Sequence, residues 1–171
     1  MIKDNIVELL NEQVNKEMES AYIYLDFVNY YIDKGLDGFA NWFTVQAKEE
    51  MDHANLFMQY MQNNGLSVEL KNINAPQIEY KGNETPLHEA LKHEQYITKS
   101  IHDIYDVASQ EKDYRTMQFL DWFVMEQGEE EMNAEELIQK YENFASDSQG
   151  LYLLNQELAA RVHTPPSLVL D

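Results

Sequence analysis

Four glutamates interrupt apolar stripes that recur at helical spacing: Glu17, Glu50, Glu94 and Glu130, each in a different long segment. His53 follows Glu50 by three positions, and Glu130 follows Gln127 by three. Residues three apart lie one turn from each other on one helix face. Glu94 stands 77 positions after Glu17, and Glu130 stands 80 after Glu50, so two helical hairpins carry their acids at matching heights. Each acid is near the middle of its segment, where antiparallel packing would bring all four to one level.

That placement has a chemical consequence. A buried, unpaired carboxylate costs several kcal/mol even after relaxation, of order 3–5. Carboxylates converging on one another repel and take up protons. No Lys or Arg shares these stripes near the acids, so a multivalent cation is the natural counter-charge. Oxygen ligands with one imidazole are too hard a set for Cu(I) and are not the thiolates of structural zinc. They suit iron or manganese, with zinc able to compete.

Four long helices and one short one must position these groups. The first is expected over residues 4–33, with Ile6, Leu10, Gln13, Glu17, Tyr24 and Val28 on its stripe, stopping before Gly35. The second runs over about 37–64 and stops at Gly65, with Phe39, Gln46, Glu50, His53 and Phe57 on its stripe. Thr85-Pro86 reads as an N-cap followed by proline at the first helical position, opening the third. The fourth starts near Asp113, and a fifth spans about 148–161 before Pro165-Pro166. The joints between the first two helices and between the next two are short and make antiparallel neighbours. Residues 65–84 between the second and third can extend roughly 60 Å at about 3.3 Å per residue, enough to run the length of the bundle. The expected architecture is therefore all-α: a four-helix bundle with one long crossover (about 4–143), a fifth helix and a tail (162–171), forming a single domain over 1–171.

Composition narrows the partners. The chain has 171 residues, 31 acidic and 12 basic, for a formal charge of −19. That excludes nucleic acid and anionic membranes as natural partners and favours cations. With no cysteine, disulfides, thiolate metal sites and a cysteine nucleophile are excluded. There is no signal-peptide pattern and no apolar run of membrane-spanning length, so a cytoplasmic location is expected.

The pattern Glu17, Glu50-x-x-His53, Glu94, Gln127-x-x-Glu130 resembles the ferroxidase centre of ferritins, most closely the non-haem ferritins of bacteria and archaea. The resemblance covers the chain through the fifth helix and leaves out the tail from Arg161, which is assigned no function. It implies a ferritin-like fold, iron storage and detoxification, and ferroxidase activity on Fe(II) with O2 or peroxide. It also implies a homo-oligomeric shell of 24 subunits holding hydrous ferric oxide. One iron would lie among Glu17, Glu50 and His53. The second would lie among Glu50, Glu94 and Glu130, with Glu50 bridging. Haem-binding relatives keep a second histidine where this chain has Gln127, so no haem is expected and the second iron site should be looser. A third iron site would use Glu49, Glu126, Glu129 and Glu130, although Glu129-Glu130-Glu131 also reads as a solvated acidic run. Tyr24, on the face of Glu17, would supply an electron or simply bond an acid from the core. Trp122 reads first as packing, and His88, His93, His102 and His163 as surface residues. Two other readings stay open: a di-iron oxidase or peroxidase that stores nothing, and a non-catalytic bundle.

Overall fold

The structure is a computed structural model describing residues 2–170. Five helices occur in order: α1 Asp4–Asp33, α2 Asp37–Asn63, α3 Thr85–Gln110, α4 Tyr114–Phe144 and α5 Ser148–Leu158. There is no strand among the described residues. α1 ends at Gly35 (φ +70°) and α2 at Gly65 (φ +73°), both in the left-handed region that costs glycine nothing. Each end is closed by a six-residue loop-back, Leu36 N–H to the Tyr31 carbonyl and Leu66 N–H to the Met61 carbonyl. The α3–α4 turn closes the same way, Asp113 N–H to the Ala108 carbonyl, but its left-handed residue is Lys112 (φ +57°). Asp113 then caps α4, its carboxylate accepting from the Thr116 N–H and hydroxyl.

The two ends of the chain's expected elements shift slightly, each for a local reason. Thr85 is the first residue of α3 rather than its cap. Its hydroxyl accepts from the Lys81 and Gly82 N–H groups of the preceding turn instead. α5 stops at Leu158, three residues short of the expected end. There the Asn41 amide donates to the carbonyls of Leu158, Ala159 and Arg161 and terminates it. The favour is returned at the other end of the contact. Asn155 Oδ1 of α5 accepts from Gly38 N–H (2.8 Å) and Phe39 N–H (3.2 Å), so it caps α2, whose own preceding residue offers no side-chain cap.

Pairings across the bundle define its directions. Ser20 meets His93 while Gln13 meets Ser100, so α1 and α3 run antiparallel. Gln46 meets Glu130 while Tyr60 meets Thr116, so α2 and α4 also run antiparallel. With the short α1–α2 and α3–α4 joints, this is the up-down-down-up bundle of the sequence reading. The crossover, residues 66–84, lies along α1. Asn11 and Asn15 bind its backbone at Glu69 and Lys71. Farther on, Tyr80 stacks on Tyr30 (4.3 Å, 11°) and donates to Asp26.

The apolar interior is split in two. One half gathers Ile6, Leu10, Phe57, Ile101, Phe119 and Phe123. The other gathers Phe27, Tyr31, Phe39, Phe43, Leu87 and Leu154. The polar stripe residues fall between the halves.

Gly38 shows how tightly α5 is docked. A Cβ there would stand 1.7 Å from the Asn155 carbonyl oxygen, which neither helix can yield without separating. Gly38→Ala is expected to destabilise by about 1–3 kcal/mol, as overpacking does. It should also raise hydrogen exchange across residues 148–161 well before the main bundle; protection of α5 equal to the parent's would contradict this docking.

Candidate metal centre

Six polar side chains from four helices meet in the belt between the two apolar halves: Glu17 (α1), Glu50 and His53 (α2), Glu94 (α3), Gln127 and Glu130 (α4). All are at 5 % exposure or less. Helical period alone aims them there, because each shares its stripe with the core residues one and two turns away. The side chains that sequence spacing singles out as ligands are therefore enclosed, as expected.

Each acid is held by an amide or phenol. Gln13 donates to Glu17 Oε1 at 2.7 Å. Gln46 donates to Glu130 Oε2 at 2.7 Å and to Glu50 Oε1 at 3.3 Å. Gln127 donates to Glu94 Oε2 at 3.1 Å, and the Tyr24 hydroxyl donates to Glu94 Oε1. Tyr24 is thus the core tyrosine bonded to an acid, and it sits directly against the belt. Burial pushes the carboxyls of Glu17, Glu50, Glu94 and Glu130 above the ordinary range. Repulsion adds to it: Glu50 acts on Glu17, while Glu94 acts on Glu50 and Glu130. Burial likewise raises the Tyr24 phenol, with Glu94 as the next cause.

Among the described residues, the only buried side-chain N or O atoms with no hydrogen-bond partner are Glu17 Oε2 and His53 Nδ1. Buried polar atoms are rarely left so. His53 Nδ1 is 3.4 Å from Glu50 Oε2. Ligand atoms of Glu17, Glu50 and His53 all lie within 4.8 Å of one another, close enough to surround one ion. These are the residues the sequence reading assigns to the first iron.

A second group lies next to it. His53, Glu126 and Glu130 also bring ligand atoms within 4.8 Å, with His53 Nε2 3.9 Å from Glu126 Oε1. The imidazole therefore turns one nitrogen to each group. Of the four acids expected to hold a third iron, Glu126 and Glu130 belong to this group, whereas Glu49 and Glu129 do not, although both act on the Glu126 carboxyl. Glu49 is paired with Arg161 at 2.5 Å, and Glu129 is exposed. All four line one cavity of about 270 Å³ beside the centre.

Arg161 is what the sequence reading missed. It is the only basic residue after Lys140, yet nothing in helical periodicity says where a residue beyond the last helix will lie. The tail, to which the sequence assigns no function, folds back onto the bundle. Leu168 and Leu170 pack against the core, and Thr164 to Ser167 close one side of the cavity. Trp122 packs edge-on to His53 (5.6 Å) and donates to Ser167. Two histidines correct the sequence reading. His93 is half-buried, bonded to Ser20 Oγ at 2.7 Å and edge-on to Tyr24, and burial lowers its pKa to about 4. His163 pairs with Asp52 at 2.7 Å. A small serine on α1 opens the slot that takes His93, and the folded tail carries His163 inward. His88 and His102 are exposed as expected.

Comparison with known proteins agrees with this picture. Residues 7–144 match the family model described as Ferritin, a ferritin-like domain. The chain is 36% identical over 161 residues to a bacterial non-heme ferritin of Staphylococcus aureus, covering 94% of this chain and 97% of that one. It is 37% identical to the counterpart of Staphylococcus haemolyticus over the same length and coverage. Among solved structures it is similar to an engineered closed form of the Archaeoglobus fulgidus ferritin (TM-score 0.93, 37% identity, 96% of this chain and 100% of that one). It is equally similar to the open-pore ferritin of that archaeon (TM-score 0.92, 37% identity, 95% and 100%).

Proposed function

The chain belongs to the ferritin family, and from that premise we propose that it takes up Fe(II), oxidises it with O2 and stores the product as a hydrous ferric oxide mineral inside a shell of 24 copies. The observation that carries this reading is the enclosed belt of four carboxylates and one histidine, with Glu17 Oε2 and His53 Nδ1 left unpartnered.

Iron is substrate here. Glu17, Glu50 and His53 would receive one ion, and Glu50, Glu94 and Glu130 a second, with Glu50 shared. Together two Fe(II) ions give up one electron each, enough to reduce O2 to the peroxide level. The protein contributes fixed positions and counter-charge. Four carboxylates match the charge of two divalent ions, so loading relieves the repulsion that burial creates. Tyr24, donating to Glu94, is placed to give a further electron if only one iron is present. Gln127 holds Glu94 but offers no imidazole, so the second ion is bound less firmly than the first. Glu126 and Glu130, beside His53 Nε2, form the onward step toward the cavity, joined by Glu129 and Glu49 when a third ion arrives. No described helix is long and apolar enough to cross a membrane, which accords with the cytoplasmic location we propose.

Two measurements test the reading. A storage shell of 24 chains of 20.1 kDa elutes near half a megadalton, whereas an oxidase that stores nothing elutes as a small oligomer. Aerobic Fe(II) should then develop ferric absorbance far faster than it does in buffer. A small oligomer, or a rate no better than buffer, would refute the proposal.

A further inference from the structure

Resting on the metal-centre reading above, we propose that Gln13 and Gln46 are positioning residues for the metal carboxylates, and that Lys16 and Arg161 fix which end of each amide faces its carboxylate. A glutamine amide has a donating end and an accepting end of nearly the same shape. Presented backwards, its carbonyl oxygen would face a carboxylate in a buried site, which is repulsive and leaves both groups unpaired. The chain prevents this with a cation behind each amide.

At Gln13 the cation acts through Ser100. Lys16 Nζ can only donate, and it lies 2.6 Å from Ser100 Oγ. The serine accepts that bond, so its single proton goes to Gln13 Oε1 at 2.6 Å. With its carbonyl engaged, Gln13 turns Nε2 to Glu17 Oε1. At Gln46 the cation acts directly. Arg161 Nη1 donates to Gln46 Oε1 at 2.9 Å, leaving Nε2 for Glu130 and Glu50. The guanidinium is itself fixed over the Trp42 ring at 4.1 Å and by the Trp42 carbonyl. Neither cation touches Glu17, Glu50 or Glu130; toward these acids each works through an amide, while Arg161 also pairs directly with Glu49.

The result is one arrangement made twice by different parts of the chain, Lys16 of α1 with Ser100 of α3 on one side and Arg161, beyond the end of α5, on the other. In Glu17 and Glu50 the amide occupies Oε1. Glu17 Oε2 is then the unpartnered atom, and Glu50 Oε2 is the one beside His53 Nδ1. One oxygen is anchored and the other is left for an ion. Partners behind metal ligands typically contribute 10–100-fold in metal affinity.

The test is anaerobic titration of the assembled protein with Co(II) alone, read by calorimetry, with shell assembly checked by size. Gln13→Leu should weaken the tighter ion by about 10–100-fold, and Gln46→Leu the looser ion by a similar factor. Ser100→Ala and Arg161→Met should reproduce each effect in part, several-fold, because they free the amide without removing it. Lys16→Arg and Arg161→Lys keep a donor-only cation and should restore near-parent affinity. If the leucine variants do not assemble, the Ser100 and Arg161 variants, which leave every carboxylate and amide in place, decide the matter. Parent affinities in Ser100→Ala and Arg161→Met would overturn the role of the cations. Parent affinities in the leucine variants would overturn the role of the amides. A parent protein that binds no Co(II) would instead defeat the metal-centre reading itself.

Discussion

Fe(II) oxidation by the double variant Glu50→Ala with His53→Ala is expected to fall at least 100-fold in initial rate, while the shell still assembles. The two side chains contribute to everything the centre offers. Glu50 is the acid within reach of both Glu17 and Glu130 through its neighbours, and His53 is the sole imidazole of the belt. Losing a group that merely orients a ligand already costs 10–100-fold, and here two ligands go at once. Folding should survive, because the variant removes a buried carboxylate that destabilises the metal-free chain. Its cavity opens onto polar groups that can take up water. The measurement is ferric absorbance in the first seconds after aerobic Fe(II) addition, with size-exclusion as the control. A normal rate from a correctly assembled variant would remove the site assignment.

Metal-free protein is expected to lose thermal stability as pH rises from about 5.5 to 8, and divalent metal to cancel that loss. The sign follows from the raised carboxyls of Glu17, Glu50, Glu94 and Glu130, shifted first by burial. A carboxyl raised by folding holds its proton longer in the native chain than in the unfolded one. Its stabilising contribution is complete below the unfolded value of about 4.3 and is lost as pH climbs through the folded value. Bound metal needs the ionised form and offsets the repulsion, so the shift it produces must grow with pH. An ion present at 100 times its dissociation constant contributes about 2.7 kcal/mol. In a chain of this size that is roughly 5–10 °C per site. Melting curves with and without Mn(II) at pH 5.5 and 8 measure it directly. Equal shifts at the two pH values would contradict the enclosed-carboxylate centre.

Much of this molecule could be read from spacing, and the exceptions share a cause. Glycines such as Gly35 and Gly65, which take the left-handed region without strain, signal helix ends in a sequence, and a period of 3.6 residues puts Glu50 and His53 on one face whatever surrounds them. Those are properties of a dozen neighbouring residues. Arg161 is different: its position depends on α5 being seated by Asn155 on α2, a contact more than a hundred residues apart in the chain. His93 likewise looks peripheral until Ser20 of another helix is opposite it. Gln13 and Gln46 sat visibly in the stripes, but an amide's role depends on which end faces the acid, and that is decided by a cation no pattern places. Even Lys112 hides its turn, since a lysine in the left-handed region carries none of glycine's signature.

The grip of Asn11 and Asn15 on the crossover has a consequence for how the chain tolerates change. Each side-chain amide offers one acceptor and one donor, the same complement that an adjoining strand would present, and together they meet the backbone of Glu69 and Lys71. α1 thereby serves as a surrogate edge for the extended segment and sets where it begins its run. Beyond Lys71, the next hydrogen bond between the crossover and α1 among the described residues is that of Tyr80 to Asp26. Added or deleted residues can be absorbed in that slack stretch without disturbing either anchorage, whereas the same change upstream of Lys71 would pull the strap out of step with the helix beneath it.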